Sequence, residues 1–316
     1  MPIGQMPTEQ TAAGRRWHGP PPASASQAHT SEIRKRLRER DLHRGPSPMT
    51  PSLRLVVEQT APQRGEVERN RVDIQRALNA LEGPTPGPVL VSFPELALTG
   101  YSLGSRTSEL ALPTTDPPPV RPPSGITAIL GFPERAQDGR IYNAAAAVRG
   151  GRWVHRYRKC FLPTYGTFDE GRYFAPSRRG PEVFEAEPGW RVATLVCEDL
   201  WHPSLTYLAA LRGADLVVVP TAVPGRGVVE GGAGPAFQSM DRWVAMATAL
   251  ASFHQLWVVV AGRCGRRVDL CGWILRRGAR RSGRRPAGRR GRPAHRSGAR
   301  PRSDRSGPEA LLPPKG

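Results

Sequence analysis

The 316-residue sequence predicts an α/β fold, and two observations carry that expectation. The first is the stretch Arg191–Leu211, RVATLVCEDLWHPSLTYLAAL, with DLVVVP (Asp215–Pro220) close behind it. Val192, Thr194 and Val196 alternate with Ala193 and Leu195, so the run is apolar enough for a strand covered on both faces. Pro203 suits the first turn of a helix and Gly213 the position just past its end, so strand, helix and strand form a βαβ unit. The second observation is the order of the remaining elements between residues 53 and 261. Strands interleave there with helical stretches, the grammar of a layered α/β domain.

Taken in order, Leu53–Glu58 reads as the first strand. From Glu66 to Leu81 the apolar positions Val67, Ile74, Leu78 and Leu81 share one helical face, and Gly83 ends the run. Val89–Phe93 is a second strand that leads into Pro94-Glu95. Residues 105–123 are polar and proline-rich and read as a surface loop. Ile126–Phe132 is a strand, and Ile141–Val148 and Arg152–Tyr157 flank Gly150-Gly151, a hairpin turn signal. Ala144–Ala147 favour helix by propensity, yet the segment is short and bounded by turns, so a strand is expected. A short strand is expected near Val183–Phe184, a helix over Asp241–Phe253 and a buried strand over Leu256–Ala261.

A net charge of +19 and a pI near 11.2 would ordinarily point to nucleic acid. The distribution undoes this: residues 1–48 hold 8 Lys/Arg against 4 Asp/Glu, and residues 263–316 hold 17 against 3. The middle, with 21 basic and 20 acidic residues, is neutral. Residues 1–48 are read as a disordered or artefactual extension, with Met49 a candidate start, and residues 49–262 as the folded domain. Residues 263–316 are an Arg/Gly/Pro-rich run that cannot repay its ordering entropy. It reads as a disordered tail, either a frameshifted translation of a GC-rich gene or an arginine-rich nucleic-acid tail. Trp273-Ile274-Leu275 and Leu311-Leu312 are its apolar clusters.

The four cysteines, Cys160, Cys197, Cys264 and Cys271, lack the paired spacing of a disulfide scaffold or a zinc site, and no metal or other cofactor is expected. No apolar run reaches membrane-spanning length and no signal-peptide core is present, so a cytoplasmic protein with no membrane partner is expected.

Three short motifs could carry chemistry. Phe93-Pro94-Glu95 closes a strand with a carboxylate, and Tyr157-Arg158-Lys159-Cys160-Phe161-Leu162-Pro163 puts a lysine just past another. Val196-Cys197-Glu198-Asp199 puts a cysteine where the first strand of the βαβ unit ends. A helix start at that point favours a thiolate and offers amides to an oxyanion. A glutamate, a lysine and a cysteine at strand ends suffice for acyl transfer through a thioester. The carboxylate takes the thiol proton, sulfur attacks the carbonyl carbon, and the ammonium stabilises the thiolate and the tetrahedral oxyanion. Each residue alone has a plainer reading: a capping carboxylate, a solvated lysine, a packed cysteine. Cys160 reads as packing, and Glu170 with Arg172 as a surface ion pair. A Cys–His mechanism through His155 or His202 is the conventional alternative, without an Asn or Asp orienter suggested by context.

Together, the ordered motifs resemble the nitrilase, or carbon–nitrogen hydrolase, superfamily over about residues 53–262. Within it, LPTYGTFDEGRYF (162–174) is most similar to the glutaminase domains of glutamine-dependent NAD synthetases and their free-standing relatives. The resemblance implies an α-β-β-α sandwich and a Glu95–Lys159–Cys197 triad hydrolysing a small carboxamide or a nitrile. It implies Glu170 as a second glutamate orienting the lysine, Tyr101 and Tyr165 as pocket residues, and a homo-oligomer. Glu198, beside the cysteine, joins this substrate-binding or supporting group. Family members continue past the strand at 256–261 with further strands, whereas Gly262-Arg263-Cys264 begins something else. The fold is therefore expected to be incomplete at its C-terminus and its activity impaired. An SGGxDS-type pyrophosphatase motif is absent, so NAD synthetase activity is not expected. The competing readings are an arginine-rich nucleic-acid-binding protein without catalysis, and an inactive relic of the hydrolase.

Overall fold

Strands β1 (Leu53–Val57), β2 (Val89–Ser92), β3 (Leu112–Pro113), β4 (Ile126–Arg135), β5 (Ile141–Arg149) and β6 (Arg152–Arg158) build the first sheet of this computed structural model. Residues 52–83, 87–166, 168–222, 228–229, 236–263, 273–275 and 309–312 are described. β1, β2 and β4 run parallel, then β4, β5 and β6 form an antiparallel meander. Gly150 and Gly151 make the β5–β6 turn with φ of 56° and 73°, the left-handed backbone that a tight hairpin demands. The four alanines of β5 are a strand, as expected. Tertiary burial on both faces overrides their helix propensity, because small side chains let neighbouring layers approach.

The second sheet holds β7 (Val183–Glu187), β8 (Trp190–Thr194), β9 (Leu216–Pro220) and β12 (Trp257–Ala261), with β8, β9 and β12 parallel. Strands β10 (Val228–Val229) and β11 (Ala236–Phe237) pair with each other. Among the described residues four α-helices accompany the strands: α1 (Val67–Ala80), α2 (Arg106–Glu109), α3 (Pro203–Leu211) and α4 (Gln238–His254). The expected βαβ unit is β8–α3–β9.

Side-chain alternation sorts the layers. Leu53, Leu55 and Val57 of β1, with Leu90, Ile129, Ala145 and Ala147, pack against Val192, Val217 and Val219 of the second sheet. The intervening Val56, Val91, Ala128 and Ala146 pack on the other side, against Ile74 and Leu78 of α1. α3 and α4 cover the second sheet through Leu205, Ala209, Trp243, Ala247 and Leu250. The order is thus helix, sheet, sheet, helices: an α-β-β-α sandwich. Thr127 ties the sheets directly: its hydroxyl lies 2.7 Å from Glu187 Oε1 and 3.1 Å from the Ala186 carbonyl oxygen, and its one O–H donates to either.

Two differences from the sequence reading stand out. The expected loop 105–123 contains α2 and the short β3, which pairs Leu112 with Glu134. Elements of four and two residues leave too little periodicity to be read. Within 263–316, Trp273–Leu275 is strand β13, antiparallel to β12, and Glu309–Leu312 is strand β14, antiparallel to β1. The rest of that stretch, like the extension at 1–48, lies outside the described residues. Among the described residues no helix is long and apolar enough to cross a membrane.

Candidate active site

Each motif sits where a strand stops. β2 ends at Ser92, and Phe93-Pro94 carries the chain into a turn holding Glu95, closed by Ala97 N–H donating to the Pro94 carbonyl at 3.2 Å. The turn is pressed against β4. A Cβ on Gly131 would lie 2.5 Å from Leu96 N and 2.7 Å from the Pro94 carbonyl oxygen, so only glycine allows the approach. Leu96 has φ of 51°, a left-handed conformation costing about 1–3 kcal/mol that surrounding structure must impose. From α1, Asn70 donates to the Leu98 carbonyl at 3.0 Å and holds the far end of the turn.

β6 delivers Lys159, whose N–H donates to the Asn143 carbonyl at 2.8 Å, and whose carbonyl accepts from Ser177 N–H at 2.9 Å. β8 ends at Thr194. The chain then stays extended through Val196 and turns sharply at Cys197, with φ of 47°, into a helical turn over Cys197–Trp201. Strain of this kind on a non-glycine residue marks a position the surroundings over-determine.

Four of the predicted side chains meet. Lys159 is fully buried, and its Nζ donates to Glu95 Oε1 at 2.8 Å and to Glu170 Oε1 at 2.7 Å. Tyr101 OH also donates to Glu170 Oε1. Asn143 Nδ2 donates to Glu95 Oε1 at 2.8 Å and reaches Glu170 Oε2 at 3.4 Å. Glu95 Oε1 thus has two donors, while buried Glu95 Oε2 has no hydrogen-bond partner among the described residues. Cys197 Sγ accepts from Thr221 Oγ1 at 3.1 Å, and the charges of Glu95, Lys159 and Glu170 all act on it.

Burial alone would drive Lys159 toward the neutral amine, but Glu95 and Glu170 reverse this and hold it protonated above its usual range. Burial raises the Glu170 carboxyl, against the pull of Lys159. The Cys197 thiol is pushed well up, first by burial and then by the Glu95 charge, with Lys159 and Thr221 opposing. The resting sulfur is therefore a thiol at neutral pH, and the arrangement needs a base to ionise it.

Besides these four and Cys197, the two remaining predicted residues, Tyr165 and Glu198, pair with each other. Tyr165, 57% exposed, donates to Glu198 Oε2 at 2.8 Å, and burial together with Glu198 pushes its phenol up to about 12. Phe168 bridges Tyr165 and Tyr101, with ring centroids 5.8 and 6.3 Å away. A cavity of about 210 Å³ opens beside Tyr101 and Glu170, lined further by Leu96, Leu103, Thr107 and Phe174.

Two polar residues in contact with this group, Asn143 and Thr221, and a third that holds its neighbouring segments, Asp199, escaped the sequence reading. Asn143 could have been found as a lone amide in the otherwise apolar strand IYNAAAAV. Asp199 was visible only as an acidic neighbour of the cysteine, and Thr221 carried no signal. The histidine alternative finds no support in the geometry: His155 stacks on Phe184 at 4.3 Å and His202 on Phe161 at 3.4 Å. Cys160 Sγ lies 3.2 Å from the Arg179 carbonyl, away from the lysine cluster. Among the described residues no group of three His, Cys, Asp or Glu side chains could hold a metal ion.

With this geometry in place, comparison with known proteins is specific. The model of the family described as carbon-nitrogen hydrolase matches residues 59–288. A glutamine-dependent NAD(+) synthetase from Xanthomonas campestris is 38% identical over 139 residues, covering 43% of this chain and 25% of the synthetase. A protein from Pseudomonas protegens described as a hydrolase in the pqqF 5′ region is 33% identical over 178 residues, covering 54% of this chain and 60% of that protein. The chain thus spans about a quarter of the synthetase it matches. Among solved structures, glutamine-dependent NAD+ synthetase from Acinetobacter baumannii superposes with a TM-score of 0.57 at 22% identity, covering 71% of this chain and 41% of the other. A mutant of the nitrilase-superfamily amidase from Nesterenkonia gives 0.54 at 21% identity, covering 71% and 82%. At such identities these likenesses establish the fold.

Proposed function

Because the chain belongs to the carbon–nitrogen hydrolase family, we propose that it cleaves the C–N bond of a small carboxamide through a thioester on Cys197. The observation that carries this reading is Lys159, fully buried with its Nζ 2.8 Å from Glu95 Oε1 and 2.7 Å from Glu170 Oε1, in a cluster whose charges reach Cys197. Glu95 Oε2, the carboxylate oxygen without a partner among the described residues, takes the Cys197 proton as sulfur attacks the amide carbon. The Lys159 ammonium faces the oxyanion of the tetrahedral adduct, where a fixed charge in a dry site is worth most. Glu95 then returns its proton to the leaving nitrogen, ammonia departs, and the thioester forms. Water, deprotonated by Glu95, attacks the thioester, and collapse of the second adduct releases the acid and restores the thiol. Glu170 keeps the ammonium in place, and Tyr101 keeps Glu170 in place.

Glutamine is the first amide to test, since the curated relatives include glutamine-dependent synthetases and Tyr165 and Glu198 supply polar groups. The full chain is incubated with glutamine and with short aliphatic amides. Ammonia release is followed, and the acyl adduct is sought by intact and peptide mass spectrometry. An adduct on Cys197, lost in Cys197→Ala, is the expected result. Labelling of Cys160 with Cys197 unmodified would sink the assignment.

A further inference from the structure

We propose that Asp199 is a positioning residue whose carboxylate locks the turn bearing Cys197 to the loop bearing Lys159, and so sets the spacing of sulfur and ammonium. The inference rests on the thioester reading above and adds to it a residue outside the triad. Asp199 is fully buried. Its Oδ1 accepts from the N–H groups of Cys160 at 3.0 Å and Phe161 at 2.8 Å, the two residues that follow Lys159. Its Oδ2 accepts from Tyr157 OH at 2.9 Å, two residues before Lys159, and from Val196 N–H at 3.3 Å, the residue before Cys197. Asp199 N–H in turn donates to the Val196 carbonyl at 3.0 Å.

One carboxylate therefore brackets both reactive groups, Lys159 from either side and Cys197 through Val196. The four donors need four acceptor sites, which among side chains of this length only an ionised Asp provides. Asn would keep Oδ1 for the lysine loop but turn an NH₂ toward Val196 N–H and Tyr157, freeing the nucleophile's side of the clamp. Burial pushes the Asp199 carboxyl up to about 7, with Lys159 and the donors opposing. A carboxylate that is costly to keep ionised thus sits at the junction of the two segments. The left-handed φ at Cys197 needs such a restraint, because a relaxed backbone would move the sulfur.

The test uses the full chain with Asp199→Asn and, as a milder cut, Tyr157→Phe, which removes one donor only. Glutamine turnover gives kcat and KM, circular dichroism gives the melting temperature, and peptide mass spectrometry follows carboxamidomethylation of Cys197 by iodoacetamide. A misplacement of about 1 Å can cost ~10²-fold in rate, so Asp199→Asn is expected to lower kcat at least ~10-fold with KM little changed. Tyr157→Phe should lie between that variant and wild type. Both should slow Cys197 alkylation at neutral pH in the same order. A lower melting temperature with unchanged kcat per folded molecule would make Asp199 merely structural and overturn the proposal. Should Asp199→Asn not fold, the proposal stands or falls on whether kcat and alkylation drop in Tyr157→Phe. A wild-type chain that forms no acyl adduct refutes the thioester reading instead, while the alkylation series still reports on Asp199.

Discussion

Replacing Lys159 by methionine removes the cation from between two buried carboxylates while nearly keeping its volume. The ammonium, itself without solvent access, donates to Glu95 at 2.8 Å and Glu170 at 2.7 Å, so its removal takes a charged donor from both buried carboxylates. Breaking a buried pair costs about 3–5 kcal/mol, and in a domain of this size each kcal/mol moves the melting temperature by ~2–4 °C, giving a loss of ~6–20 °C. The loss has a pH signature. Burial already raises the Glu170 carboxyl and Lys159 pulls it down, so without the cation it rises further. The native variant then binds a proton that the unfolded chain does not, and its stability increases as pH falls. The deficit against wild type should be largest near about pH 8 and shrink toward about pH 5, as melts followed by circular dichroism would reveal. A pH-independent deficit, or a loss under about 2 °C at the alkaline end, would refute a coupled buried triad. Lys159→Arg should not restore turnover, since a planar guanidinium cannot fill a site shaped for a compact ammonium.

Glu95→Gln leaves the Lys159 and Asn143 contacts an acceptor but no base, and steady-state kinetics should give kcat at least ~10²-fold lower; near-normal turnover would eliminate Glu95 as the base. Gly131→Ala drives a Cβ into the backbone of the Glu95 turn, 2.5 Å from Leu96 N, so kcat should fall at least ~10-fold; an unperturbed variant would show the turn to be free to move. Thr221→Val removes the hydroxyl donor 3.1 Å from Cys197 Sγ, one of the groups that pull its thiol down. Since the thiolate is the reactive form, the curve of iodoacetamide labelling against pH should move to the alkaline side, and a superimposable curve would contradict that role.

What could be read from residues alone follows the range of the interaction. The β8–α3–β9 unit was legible because a buried strand, Pro203 at a helix start and Gly213 past its end are all local signals. The expectation of strand for Ala144–Ala147 came from length and flanking turns, against propensity. The short α2 and β3 within 105–123 had no period to betray them. Glu170 shows the limit of local reading. Beside Arg172 it looked like half of a surface ion pair, yet Arg172 approaches Asp169 at 3.8 Å while Glu170 is buried against Lys159. That partner is eleven residues away, and Glu95 is sixty-four residues from the same lysine, so spacing could not reveal either contact. The expectation of a second active-site glutamate came from the family resemblance instead.

The same physics explains why the three motifs persuade only as a set. A lysine at a strand end, taken singly, belongs in water, because burying it alone would strip its charge. Glu170 faces the converse problem, a buried carboxylate that desolvation pushes toward the neutral acid and that the Lys159 cation pulls back. Each residue is affordable only in the presence of the others, so their joint burial argues for a selected arrangement where any one would argue for nothing. Hydrogen bonding then decides how the cluster is used. Asn143 and Lys159 both occupy Glu95 Oε1, and in the proposed thioester route this leaves Oε2 as the acceptor for an incoming proton. Cys197, turned into a left-handed backbone conformation and kept as a thiol by burial, has that proton to give.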